Sequence, residues 1–135
     1  MIRNLDDAPW SKHPVLGMSK RAVRFLIGEE ETDDVVSWAW EHMEIGGYAA
    51  EHAHPWRQMF FVLKGQVRVT LDEEERVVGP NTIVYMAPNV MHGAWQVGDG
   101  EVERLVVSVH TSDDPEGQVI WKDPKEDPYS QPAAG

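Results

Sequence analysis

Short segments of β-branched and aromatic residues, each bounded by turn-forming residues, run through most of this chain and constrain its fold more than any other feature. The predicted strands are residues 23–27, 35–43, 59–63, 67–71, 82–86, 93–97 and 102–109. Glycine, proline and asparagine lie between them, as in the pair Gly46-Gly47. Since no stretch reads as a helix, the sequence predicts an all-β antiparallel barrel or sandwich.

The chain has 135 residues, a length typical of one domain and sufficient to bury a core without disulfides or a structural metal. We predict one domain over residues 1–112, with an N-terminal extension and a barrel core over about 35–110. Residues 113–135 form a proline-rich tail. We expect the part of the tail around Trp121 to dock on the barrel or on a second subunit, and the end beyond Pro128 to be disordered.

The composition argues against several classes of function. A formal net charge of -11 without a basic stripe predicts no binding to nucleic acid, and we expect the acidic runs, such as residues 72–75, to lie in solvated turns. The N-terminus lacks a secretory signal and no apolar run is long enough to span a bilayer, so we expect a cytoplasmic protein with no membrane association. With no cysteine, any metal must be held by histidine nitrogen and oxygen atoms.

A pair of histidines two residues apart provides the clearest functional signal. On an extended chain His52 and His54 point to the same face, whereas on a helix they would diverge. Pro55 favours the extended form, and a third histidine, His92, follows a Pro88-Asn89 turn that opens another strand. These three side chains are therefore candidate ligands of one divalent metal ion.

The spacing of Gly46, His52, His54, Gln58 and Gly65 resembles the first signature of the cupins, and residues 88–96 resemble the second. The resemblance implies the cupin double-stranded β-helix, a jelly-roll barrel in a single domain. It also implies a metal held by the two paired histidines, Gln58 and His92.

This chain departs from the common cupin pattern at several positions. Gln58 stands where many cupins have glutamate, and Gln96 replaces a terminal asparagine. Asn81 and Asn89 occupy turn positions where glycine is usual, which asparagine tolerates because it also adopts positive φ.

Two groups of small single-domain cupins are the most similar. The chain resembles tetra-histidine manganese monocupins around His54-Pro55-Trp56, although those have a histidine at the position of Gln58. It also resembles pectin-degradation cupins, which act on unsaturated uronates with three histidines and one glutamine. Their catalytic aspartate falls at Val106, and since valine cannot transfer a proton, this position argues against the uronate activity.

Neutral ligands leave a divalent ion with its full charge, which favours a Lewis-acid role over redox cycling. Manganese, iron, nickel, zinc and copper all suit such a site. We therefore predict an enzyme of the lyase or isomerase type that acts on a small anionic or oxygen-rich substrate. The alternatives are a manganese- or iron-dependent dioxygenase and a non-catalytic module that binds metal or a small ligand. No catalytic residue is identified: the candidate general bases are Glu41, Tyr48 and a metal-bound hydroxide.

The resemblance places Arg104, Val106 and Ser108 on the cavity side of the last strand as substrate-binding residues, whereas the residue pattern alone permits the opposite orientation. An inward Arg104 needs a partner. We expect that partner to be Glu41 in the resting state and a substrate carboxylate in the complex.

The histidines outside the signature, His13, His42 and His110, are interpreted as surface or interface residues. Trp38 and Trp40 share one strand face with His42, and this face is a candidate dimer surface, so we expect a homodimer.

Overall fold

The computed structural model of the chain describes residues 1–12 and 18–127, and nearly all of its regular structure is β. The strands are β1 (Trp10–Lys12), β2 (Met18–Ile27), β3 (Val36–Ala53), β4 (Arg57–Lys64), β5 (Gln66–Leu71), β6 (Glu74–Val78), β7 (Ile83–Met86), β8 (His92–Val97), β9 (Val102–Val109) and β10 (Ile120–Trp121). The described part of the chain also contains three short 3-10 helices, at Leu5–Asp7, Glu29–Glu31 and Pro124–Glu126. No helix within the described ranges is long and apolar enough to cross a membrane.

The strands form one curled antiparallel sheet in the order β6-β5-β8-β3-β9-β4-β7, with β2 and β10 pairing separately with β3 and β1 pairing with β2. Its concave side buries an apolar core that includes Met43, Phe60, Val62 and Val102. This arrangement confirms the predicted all-β jelly roll. Phe60, Met86 and Ala94 of this core also line a cavity that holds the polar residues described below.

The strand β3 is twice as long as the sequence suggested, because it runs through the glycine pair instead of ending there. The predicted turn at Gly46-Gly47 is therefore wrong. Gly46 has a φ of +80°, and a Cβ on Gly47 would lie 2.7 Å from the carbonyl oxygen of Lys20 on β2. Glycine is needed here for a bend and for close backbone approach, which are its usual roles inside a strand.

The predicted acidic turn over residues 72–75 is only half correct. Its second half opens β6, an edge strand whose side chains are largely exposed. No strand pattern is visible in these residues, because neither face of β6 is buried. The asparagine predictions are confirmed: Asn81 and Asn89 have φ values of 66° and 63°.

Part of the tail lies against the barrel as a short strand. Ile120 pairs with Ala53 and Trp121 pairs with His52 in the β10–β3 ladder. Trp121 is buried, whereas Ile120 is exposed. The predicted disordered end beyond Pro128, like His13, lies outside the described residues.

Candidate metal centre

A β-bulge turns the paired histidines into the barrel. Ala49 pairs with Ala94 and His52 pairs with His92, so β3 holds one residue more than β8 between these two points. Without that extra residue, His52 would face outwards with the other even-numbered residues of β3. With it, His52 lines the same inner cavity as Glu41 and Ala49.

The three histidines predicted from the sequence meet at this point. His52, His54 and His92 are all buried, and one potential ligand atom from each lies within 4.8 Å of the others. In every ring Nδ1 lies 2.8–2.9 Å from a backbone carbonyl oxygen, of Ala50, Trp56 and Val90 respectively. A carbonyl only accepts, so each Nδ1 carries the proton and each Nε2 keeps a free lone pair.

The surroundings keep these imidazoles in the uncharged form that binds metal. Burial lowers the pKa of His52 to about 4 and that of His92 to about 3, and it lowers the pKa of His54 as well. Nε2 of His92 is buried without a hydrogen-bond partner in the described part of the chain. A buried lone pair without a donor is costly, and a cation would satisfy it.

Gln58 supplies a fourth potential ligand. Its amide Nε2 donates to Ser108 Oγ at 3.0 Å, which orients its Oε1 to within 3.3 Å of His54 Nε2. Both of these atoms are acceptors in the tautomer just described, so together they create a region of negative potential that favours a cation. Three imidazole nitrogens and an amide oxygen fit a divalent ion, and the group found among the described acidic, histidine and cysteine residues contains no carboxylate.

The residues of β9 that the resemblance assigned to the pocket lie around this group. Arg104 and Val106 line an inner cavity of about 70 Å³. Ser108 and Val106 line the mouth, a cavity of about 260 Å³. Arg104 is only 6% exposed, donates from Nε to Glu41 Oε1 at 2.7 Å and covers the Phe60 ring at 4.4 Å.

A second buried arginine, Arg21 on β2, was missed by the sequence analysis. Its Nη2 pairs with the other oxygen of Glu41, so one carboxylate joins two guanidinium groups. Burial alone would raise the pKa of Glu41, but Arg104 and Arg21 outweigh it and lower that pKa to about 2. Arg21 lies just outside the predicted strand, although the alternation with Val23 could have placed both side chains on one face.

Two tryptophans flank the histidines at the mouth. The Trp56 ring stacks on His54 with centroids 4.3 Å apart, and Trp121 stacks on His52 at 4.6 Å. The ring centroid of His110 lies 5.0 Å from that of Trp56, and His110 Nε2 lies 3.0 Å from Glu29 Oε1. Tyr48, considered above as a base, lines neither the inner cavity nor the mouth.

Solved structures with the same fold include several from bacteria. The polyketide cyclase RemF from Streptomyces resistomycificus has a TM-score of 0.78 at 23% identity, over 96% of this chain and 90% of that one. A predicted oxalate decarboxylase from Thermotoga maritima has a TM-score of 0.74 at 13% identity, over 82% and 100%. An RmlC-like cupin from Shewanella frigidimarina has a TM-score of 0.64 at 16% identity, over 80% and 88%.

These identities establish likeness of fold only. Comparison with curated protein sequences gives no significant match. The sequence pattern of the cupin domain, in contrast, matches residues 39–108, which is just over half of the chain and contains all four candidate ligands. The chain therefore belongs to the cupin domain family.

Proposed function

We propose that this protein is a metal-dependent enzyme that uses a divalent ion as a Lewis acid on a small, oxygen-rich substrate, in a reaction of the lyase or isomerase type. The observation that carries the proposal is the neutral donor set: three Nε2 atoms freed by carbonyl contacts at Nδ1, with an amide oxygen beside them. A divalent ion bound there keeps its full charge and, when present, polarises a carbonyl or hydroxyl oxygen.

The chain's own residues prepare the site for such a substrate. The backbone carbonyls fix the tautomer and orientation of each imidazole, and Ser108 fixes the amide of Gln58. Trp56 and Trp121 cover one side of His54 and His52, which limits access of bulk water. Glu41 stays ionised at neutral pH, but a carboxylate with a pKa of about 2 is a weak base, so its role is to orient Arg104.

The activities for which three structural neighbours are named support an oxygen-rich substrate. A polyketide cyclase, a predicted oxalate decarboxylase and an oxalate oxidase share this fold. Polyketides and oxalate are both rich in oxygen, and their carbonyl or carboxylate oxygens suit a Lewis acid. The mouth cavity of about 260 Å³ is large enough to hold more of a substrate than the inner cavity.

The metal content is the first test. Untagged protein and the variants His52→Ala, Gln58→Ala and His42→Ala would be analysed for bound metals by mass spectrometry. We expect a near-stoichiometric divalent ion in the wild type and in His42→Ala, since His42 lies on the outer face beside Glu101. We expect its loss in His52→Ala. Absence of metal from the wild type, even after reconstitution, would contradict the proposal, and full retention in Gln58→Ala would remove Gln58 from the ligand set.

Reaction type is tested with the metal-loaded protein. We expect it to accelerate the exchange of the α-protons of small dicarbonyl compounds for deuterium from deuterium oxide. The rate should be the same in air and under anaerobic conditions. A strict need for oxygen together with manganese or iron would indicate a dioxygenase instead. Tight binding without any exchange or turnover would indicate a binding module.

A further inference from the structure

The inner cavity carries positive charge in a molecule that is otherwise strongly acidic. Among the described residues, the ionised side chains that line it are Arg21, Arg104 and Glu41, so two guanidinium groups face one carboxylate. The result is one uncompensated positive charge in a buried space, although the whole chain has a net charge of -11. The lining of the mouth includes one further carboxylate, Glu29, and this carboxylate contacts His110.

Glu41 cannot satisfy both arginines. One of its oxygens accepts from Arg104 Nε and the other pairs with Arg21 Nη2, which uses both oxygens once. Arg21 is 10% exposed, and its Nε is buried without a hydrogen-bond partner in the described residues. A guanidinium carries five donors in a planar fork, and buried donors of this kind are normally paired.

The space beside these donors suits a small oxyanion. The inner cavity of about 70 Å³ has room for a few water molecules or for one carboxylate group. Arginine forks bind carboxylates through parallel charged hydrogen bonds, and one carboxylate would cancel the single positive charge of the group. A neutral group would leave that charge unpaired in a region of low dielectric, and a divalent ion at the neighbouring histidines would add further positive charge.

We propose that Arg21 and Arg104 together bind one carboxylate of the substrate in the inner cavity, so that the substrate class is small carboxylates. The inference rests on the proposed function, because it concerns the substrate of the same site. It assigns a binding role to β2, which precedes the part of the chain that matches the cupin pattern.

Isothermal titration calorimetry with pyruvate tests this proposal, with pyruvamide as the neutral counterpart. Wild-type, Arg21→Met and Arg68→Met proteins would be titrated in metal-loaded and metal-stripped form, with metal content measured in each preparation. Arg68 is the matched control, because it lies over Trp95 away from the cavity and contacts Glu75. We expect pyruvate to bind more tightly than pyruvamide, and Arg21→Met to weaken pyruvate binding about tenfold or more while Arg68→Met leaves it unchanged.

The conservative variant Arg21→Lys separates binding from folding. It keeps a charge beside Glu41 but loses the fork, so we expect a folded protein by circular dichroism, unchanged metal content and a smaller loss of pyruvate affinity than in Arg21→Met. Equal pyruvate affinity in wild type and both Arg21 variants would overturn the proposal, as would equal affinity for pyruvamide. If no preparation holds metal yet pyruvate binding still depends on Arg21, the proposed function fails and this inference stands.

Discussion

Glu41 lies between two guanidinium groups inside the barrel, and its removal would leave two like charges facing each other. Breaking a buried ion pair by removing one partner is strongly destabilising, since the remaining charge is uncompensated. We expect Glu41→Gln to lower the free energy of unfolding by about 3–5 kcal/mol, measured by urea denaturation. Glu101→Gln, which removes an exposed carboxylate beside His42, should change it by less than about 1 kcal/mol. Equal effects of the two substitutions would contradict this account.

The same carboxylate should give stability a defined dependence on pH. The folded-state pKa of Glu41, about 2, is below its ordinary value of 4.5, because Arg104 and Arg21 outweigh the opposing effect of burial. Its contribution is therefore fully present above the unfolded pKa and is lost as the pH falls from 4.5 towards 2. We expect the difference in unfolding free energy between wild type and Glu41→Gln to narrow over this window. A difference that stays constant there would show that Glu41 is not ionised in the folded protein.

Among the elements, the β4–β5 hairpin depends on one glycine. Gly65 has a φ of +86°, and a Cβ there would lie 2.4 Å from the carbonyl oxygen of Glu101. We expect Gly65→Ala to destabilise the protein by about 2 kcal/mol or more. Gly100→Ala is the control, since a Cβ at Gly100 meets no atom within 4 Å. Its effect should stay within about 0.5 kcal/mol, and thermal or urea denaturation of both variants would check the contrast.

The short strand β10 covers the candidate metal centre through a single side chain. Trp121 is 8% exposed and stacks on His52, whereas its neighbour Ile120 is 61% exposed. Given a bound metal, we expect Trp121→Ala to speed metal transfer to a chromophoric chelator several-fold, because the indole shields that imidazole. Ile120→Ala should leave the rate unchanged. The same transfer rate in all three proteins would mean that β10 has no shielding role.

The strands show where sequence reasoning succeeds and where it stops. The interval between His52 and His54 and the turn before His92 are local features, so the sequence alone indicated which histidines to compare. The bulge that turns His52 inward is not local, because it is defined by the pairing of β3 with β8. Burial of Arg21 depends in the same way on the β2–β3 ladder. Non-local pairing decides both, and a strand's own residues do not encode its partner's register.

At the scale of the whole molecule, polar residues are divided between two environments. The acidic residues that give the net charge of -11 lie largely on exposed turns and edges such as β6, whereas the ionised groups of the inner cavity sum to a positive charge. A jelly roll permits this division because its interior can enclose a small polar cavity beside the apolar core, while its outer surface faces solvent. The composition predicted that acidic residues would lie on the exterior. The positive charge of the inner cavity could not be predicted in this way, because it depends on which side chains the fold brings together.

The outer face of β3 leaves aromatic side chains exposed, and the homodimer expected from the sequence stays a prediction. Trp38 is 40% exposed, and Trp10, at 43%, packs its edge against His42 on the same face. An exposed aromatic patch of this kind is typical of an interface. We expect light scattering after size-exclusion chromatography to show a dimer that Trp38→Glu converts to a monomer.

A second exposed apolar surface, along β7, provides a control that distinguishes the Trp38 face from the sheet edge as the dimer interface. Ile83 is 63% exposed at that edge of the sheet, so Ile83→Glu introduces the same charge at an apolar site that is more accessible than Trp38. If the dimer forms through the Trp38 face, Ile83→Glu remains a dimer, because a charge is costly only where it becomes buried. Dissociation by Ile83→Glu alone would place the interface at the sheet edge. A wild type that is monomeric at every concentration would mean that Trp38 is exposed in the working protein.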